Sequence, residues 1–179
     1  MGVSLLRQFK YVALDGIKDE VEVSLVKRFE VEDPSLWSQY HFLVKPQADG
    51  RPSISIQVPI GGQEMNLMFD TGCPPALFTT EKKWGQIRNR FRAIRKSIKK
   101  VYLPLAGGNI RARTVIVRDL DIGNRVVKKA YVCILPDDNS VFPGLTRQDG
   151  ILGMQCFADT TIVLDFERKV MWVKDTNAQ

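Results

Sequence analysis

The stretch Met65-Asn66-Leu67-Met68-Phe69-Asp70-Thr71-Gly72-Cys73-Pro74-Pro75-Ala76-Leu77-Phe78 decides how the rest of the chain is read. An apolar run, Leu67-Met68-Phe69, delivers a carboxylate, a hydroxyl and a glycine in succession, and apolar residues resume at Ala76-Leu77-Phe78. A carboxylate bracketed by strand-like apolar sequence is costly unless it is hydrogen-bonded or chemically used. Gly72 permits a tight turn that carries the backbone close to Asp70, where a side chain would obstruct it. The arrangement predicts a chemical site, against the plainer alternative of a turn aspartate capping its own loop.

Working outward, the flanking signals are those of β structure. Ile54, Ile56 and Val58 alternate with Ser53, Ser55 and Gln57, which predicts a half-buried strand; Gly61-Gly62 predicts a turn, and Met65 to Phe69 a second strand running into Asp70. Further on, Val101 to Leu105 and Ile110 to Val117 flank Ala106-Gly107-Gly108-Asn109, the pattern of a hairpin with a flexible tip. A strand over Val126 to Leu135, the segment Asp149-Gly150-Ile151-Leu152-Gly153-Met154, a short piece Gln155 to Ala158, and strands at Thr161 to Phe166 and Val170 to Val173 complete the chain. Between the two halves Trp84, Ile87, Phe91, Ile94 and Ile98 recur at three and four, which predicts an amphipathic helix of about four turns. Upstream, Leu5, Leu6, Phe9, Val12 and Ala13 are spaced as on a short helix ended by Asp15-Gly16, and Val21, Val23 and Leu25 alternate as a strand. Asp49-Gly50-Arg51-Pro52 punctuates the sequence, so residues 1–50 are expected as an α+β extension of a domain spanning 51–179.

With 179 residues, 44% hydrophobic and 26% charged, the chain suits one folded domain with an appended arm. No apolar stretch is long enough for a membrane span, and Arg7 and Lys10 interrupt any signal-peptide core. Three cysteines at irregular spacing and a single histidine, His41, argue against a zinc site, and the lack of a disulfide framework favours a reducing, cytoplasmic setting. Nucleophilic chemistry of the Ser-His or Cys-His kind would rest on His41 alone, in a region without motif character, and this leaves carboxylates as the acid and base groups. No cofactor or metal is implied. The net charge of +6 is concentrated between Lys82 and Lys100, a run of cations without an acid. Its plain reading is the solvated face of the predicted helix, and its sharper one a contact surface for an anionic partner. Nucleic acid is not expected, since no aromatic residues interleave with the basic ones on that face.

Residues about 52 to 174 resemble a single-lobed, retropepsin-like aspartic protease domain. The likeness rests on features in sequence order: the strand with Gly61-Gly62, the apolar approach to Asp70-Thr71-Gly72, a glycine-tipped hairpin over Leu103 to Val117, and Gly150-Ile151-Leu152-Gly153 before a short helix and a terminal hairpin. The resemblance implies a mostly β, retropepsin-like acid protease barrel with one short C-terminal helix, here with an inserted basic amphipathic helix and the N-terminal α+β extension. It implies catalysis by two carboxylates about 3 Å apart, which cannot both ionise comfortably and so act together as base and acid. Only one Asp-Thr-Gly is present, so Asp70 of two subunits would meet across a two-fold axis in a homodimer acting on an extended peptide or protein substrate.

By the same resemblance Thr71 ties the two active-site loops together, Gly72 offers backbone groups beside the dyad, and Ile151, Leu152 and Gly153 back the catalytic loop. Gly107 and Gly108 tip a flap that closes over the substrate. The sequence departs from the family pattern at Cys73-Pro74-Pro75, where alanine or serine commonly follows the glycine. The carboxylate next to Cys73 is expected to keep its thiol protonated. The expected function is that of an aspartic endopeptidase; the alternative is a catalytically silent binding or assembly module that keeps the fold.

Overall fold

The computed structural model describes residues 2–47, 50–94, 99–105, 108–137 and 148–174. In chain order the elements are α1 (Val3–Leu6), β1 (Tyr11–Asp15), β2 (Glu20–Ser24), a 3-10 turn (Pro34–Leu36), β3 (Trp37–Pro46), β4 (Pro52–Ile60), β5 (Gln63–Asp70), β6 (Leu77–Thr80) and α2 (Glu81–Ile87). A second 3-10 turn (Arg88–Arg90), β7 (Arg92–Ala93), β8 (Lys99–Leu105), β9 (Gly108–Ile122), β10 (Arg125–Leu135), β11 (Gly150–Gly153), a third 3-10 turn (Met154–Phe157), β12 (Thr161–Asp165) and β13 (Val170–Lys174) follow. The protein is mostly β, and it divides into two compact units, one joining the chain up to Gln57 with the chain from Phe157 onward, the other running from Val58 to Cys156. Among the described residues no helix is long and apolar enough to cross a membrane.

In the first unit the strands lie in the order β2-β1-β12-β13-β3-β4, each antiparallel to the next. The helix expected from Leu5 to Ala13 stops at Leu6, and Val12 and Ala13 belong to β1. Tyr11 and Val12 suit a pleated, packed surface, and pairing with β12 and β2 on either side outweighs the helical spacing. Asp15 then closes the β1–β2 turn by accepting the backbone N–H groups of Ile17 and Lys18, both at 3.0 Å. Gly16 is required there, since a Cβ would stand 2.6 Å from the Phe157 carbonyl oxygen. In β4, Ser53 and Ser55 are as buried as the isoleucines beside them, so the strand is covered on both faces where one was expected to be wet. The Ser53 hydroxyl meets this by donating to the Lys45 carbonyl at 3.2 Å.

In the second unit the order is β5-β11-β6-β10-β9-β7, with β8 paired to β9. Gly61 and Gly62 both take positive φ, 57° and 74°, the conformation of a two-residue hairpin turn, and lead into β5. The core contains Met65, Leu67 and Phe69 of β5, Leu77 of β6, Val115 and Val117 of β9, Ala130, Val132 and Ile134 of β10, and Ile151 and Leu152 of β11.

The basic helix expected from Trp84 to Ile98 is much shorter: α2 ends at Ile87, Arg88–Arg90 form a 3-10 turn, and Arg92–Ala93 join β9 as a strand, while residues 95–98 lie outside the described ones. Packing overrides the periodicity. Phe91 stacks on Trp84, with ring centroids 6.3 Å apart at 12°, and its ring closes over Gly61, where a Cβ would come within 2.7 Å. Ile94 then donates its N–H to the Ile116 carbonyl at 2.9 Å, a sheet contact and not a helical one. The short helix expected after Gly153 is the 3-10 turn Met154–Phe157.

Candidate active site

Asp70 is the last residue of β5, partly exposed, and the chain turns sharply after it. The Gly72 N–H donates to Asp70 Oδ1 at 2.8 Å and the Cys73 N–H to the Asp70 carbonyl at 3.1 Å, so the loop folds back on the carboxylate. A Cβ on Gly72 would press against Oδ1 at 3.3 Å. Thr71 and Gly72 are exposed, and among the described residues no Lys or Arg forms an ion pair with Asp70.

The segment some eighty residues later packs directly behind this loop. β11 lies between β5, to which it runs parallel with Gly153 opposite Asp70, and β6, to which it runs antiparallel. Ile151 and Leu152 are buried at 3% and 1% exposure. Gly153 donates to the Ala76 carbonyl at 3.1 Å and Met154 to the Cys73 carbonyl at 2.9 Å, which fastens both ends of the Cys73–Ala76 loop. The approach is too close for any side chain at Gly153: a Cβ would lie 2.0 Å from the Pro75 oxygen and 2.4 Å from that of Cys73. Gly150 is equally confined, since a Cβ there would lie 2.1 Å from the Phe78 oxygen.

Asp70, Thr71 and Gly72 are thus brought together with Ile151, Leu152 and Gly153. Gly108 opens β9, paired with Leu105, and Gly107 lies outside the described residues. Farther along β9, Thr114 lines a cavity of about 390 Å³ together with Pro74, Pro75, Tyr131, Val132, Cys133 and Gln155.

Cys73 is 6% exposed and free. Burial first, then the Asp70 carboxylate and Cys133, push its thiol up to about 12, so the neighbouring carboxylate is the lesser cause of its protonation. Burial likewise pushes Cys133 up to about 12, and Cys156, fully buried, donates its thiol to the Ala76 carbonyl at 3.2 Å. None of these thiols is poised as a nucleophile.

Two residues around the site went unread in the sequence. Asp149 accepts the Asn66 N–H at 2.9 Å and pairs with Lys83 Nζ at 2.6 Å, while its own N–H and C=O bond Asn66 and Thr79; it fixes the entry to β11. Gln155 continues the β10 ladder beyond β6, its Oε1 accepting the Tyr131 N–H at 2.8 Å and its Nε2 donating to the Lys129 carbonyl at 3.0 Å. The Gly150–Gly153 spacing hints at close strand passage, whereas nothing in the sequence marks Gln155.

What this arrangement offers chemically is a single carboxylate, accessible to solvent, held at a strand end by a backbone donor. A family model described as aspartyl protease matches residues 56–156, just over half of the chain. The chain belongs to the aspartyl protease family. The stretch that defines this membership contains Asp70-Thr71-Gly72 and Ile151-Leu152-Gly153 alike.

Among solved structures this aspartyl protease family member is similar to a retropepsin-like aspartic protease from Rickettsia conorii, at 15% identity over 78% of this chain and 95% of that one, with a TM-score of 0.46. It is similar to the protease of EIAV complexed with the inhibitor HBY-793, at 20% identity over 59% and 85%, TM-score 0.41. Its fold is shared with Basic 7S globulin from soybean, at 10% identity and a TM-score of 0.52 over 96% of this chain; the chain spans 52% of that protein. No curated protein matches it.

Proposed function

We propose that the chain is an aspartic endopeptidase whose dyad is formed by Asp70 of two copies. The observation that supports this reading is the fastening of the Asp70 loop. A partly exposed carboxylate, held by the Gly72 N–H and backed by Gly153 against Cys73 and Pro75, sits in a chain with one Asp-Thr-Gly and so offers half of a two-carboxylate site. In the dimer one carboxylate takes a proton from water as the water oxygen attacks the peptide carbonyl carbon. The other, protonated, hydrogen-bonds the carbonyl oxygen as it becomes negative, and a proton passes to the nitrogen as the C–N bond breaks. Thr71 joins the two loops, and the hairpin of β8 and β9, in which Leu105 pairs with Gly108, closes over an extended substrate as an added strand. Cys73-Pro74-Pro75 is compatible with this role, since the loop keeps the Gly72 and Cys73 contacts to Asp70.

The test is cleavage of a peptide library by the purified full chain between about pH 4 and 7, where carboxylate pairs work. Asp70→Asn is expected to lower the rate by about 10²–10⁴-fold or more with the fold intact. The specific activity is expected to fall on dilution as dimers dissociate. Cleavage that persists in Asp70→Asn overturns the reading. Absence of cleavage by a folded, dimeric chain favours the silent binding module.

A further inference from the structure

Three strands of the second unit carry a row of cations that the fold does not use. In the order β10-β9-β7, Lys129 stands opposite Arg118 and Arg118 opposite Arg92, and all three side chains are exposed. Neighbouring strands are about 4.8 Å apart, so the row spans about 10 Å. Like charges directly opposite one another destabilise a sheet. Among the described residues no carboxylate pairs with any of the three, although Arg113 and Lys83 in the same unit have Glu81 and Asp149. The nearest acids on β9 are Asp119 and Asp121; Asp119, at φ 55°, breaks the alternation, so that Leu120 and Ile122 are buried beyond it and Asp121 lies between them, and among the described residues neither acid forms an ion pair with the row.

The row adjoins the cavity. Tyr131 and Cys133 follow Lys129 at alternate positions of β10, and Thr114 stands opposite Cys133, so the cavity opens on the same sheet face about two residues, or about 7 Å, from the cations. Pro74, Pro75, Val132 and Cys133 make its lining largely apolar, and about 390 Å³ admits a large aliphatic or aromatic side chain. A nucleobase would bring polar edges that this lining leaves unsatisfied.

We propose that Arg92, Arg118 and Lys129, with the cavity bounded by Thr114, Tyr131 and Pro75, form a docking site for an acidic segment of a partner protein that inserts one apolar side chain beside its carboxylates. This goes beyond the peptidase reading and does not depend on it. The test is therefore binding, not turnover, measured by fluorescence anisotropy on the full chain carrying Asp70→Asn so that the probe stays whole. The probe is a labelled peptide with a run of glutamates next to a leucine. Binding is expected to weaken steeply with salt, and to fall about tenfold in Arg118→Glu and in Lys129→Glu with an unchanged melting temperature or a higher one. It is also expected to fall when alanine replaces the peptide's leucine or Thr114→Phe fills the cavity. The proposal is overturned if the peptide binds no better than its glutamine counterpart, or if the charge reversals leave binding unchanged. It is equally overturned if single-stranded RNA binds the row and the peptide does not.

Discussion

Gly153 carries much of the site's geometry through what it lacks. Its missing Cβ lets β11 pass against the carbonyl oxygens of Pro75 and Cys73, both backbone atoms that cannot swing away. Gly153→Ala is therefore expected to destabilise the chain by about 1–3 kcal/mol or more, as overpacking does, and to displace the Asp70 loop. A urea titration with the Gly72 amide followed by NMR would register both effects, and an unshifted Gly72 resonance would contradict the account. The cysteines allow a second prediction. Burial raises Cys73 and Cys133 from 9.0 to about 12, so the folded state favours the protonated thiols. Their contribution to stability is complete below about pH 9 and is lost as pH rises towards 12. Native protein should leave its cysteines unreacted with a thiol reagent at neutral pH, and Cys133→Val should move the alkaline unfolding midpoint upward. The placing of Asp70 at a strand end and the turn at Gly72 were legible in the sequence, because an apolar run that ends in a carboxylate and a glycine after it both have local causes. The tasks of Asp149 and Gln155 were not, since their partners, Lys83 and Tyr131, are distant in sequence and meet only in the folded sheet.

The strands leading to Asp70 were legible for the same local reasons: alternation at β4 and the paired glycines before β5. The basic segment was misread because period and packing disagree there. Trp84 and Ile87 are buried helix residues, but Phe91 leaves the helical path to stack on Trp84 and cover Gly61, and the chain then enters the sheet as β7. The described cations of that segment accordingly divide among α2, the 3-10 turn after it, β7 and β8, and do not form one helical face. The short helix α2 itself contains Gly85, exposed, with nothing within 4 Å of where a Cβ would stand. Glycine inside a helix costs about 0.8–1 kcal/mol relative to alanine. Gly85→Ala should raise stability by roughly that amount, read from denaturant midpoints at constant slope. A loss of stability would mean that the space beside Gly85 is needed.

The spacing of signals along the sequence suggested an arm over residues 1–50 and a domain after it, because a linear reading cuts a chain only at punctuation such as Asp49-Gly50. The first unit instead couples distant segments: β1 pairs with β12 and β3 with β13, so the terminal hairpin has strands from the chain's beginning on both sides. A chain starting at Arg51 would strip β12 and β13 of those partners. It would delete Leu6, Tyr11, Val12 and Phe42, all buried, and uncover Phe166, whose ring stands 5.6 Å from that of Phe42. Each buried side chain of this size is worth about 1.5–3 kcal/mol, and a domain's whole stability is about 5–15 kcal/mol, so their loss is comparable to the total. Bared edges on β12 and β13 would add a template for aggregation. The truncated chain is expected to be insoluble, or to elute as a broad, aggregated species without a cooperative melt, and to show no Asp70-dependent cleavage. A soluble fragment that melts cooperatively and cleaves peptides would instead establish residues 1–50 as a detachable arm, and gain of activity on its removal would make that arm inhibitory.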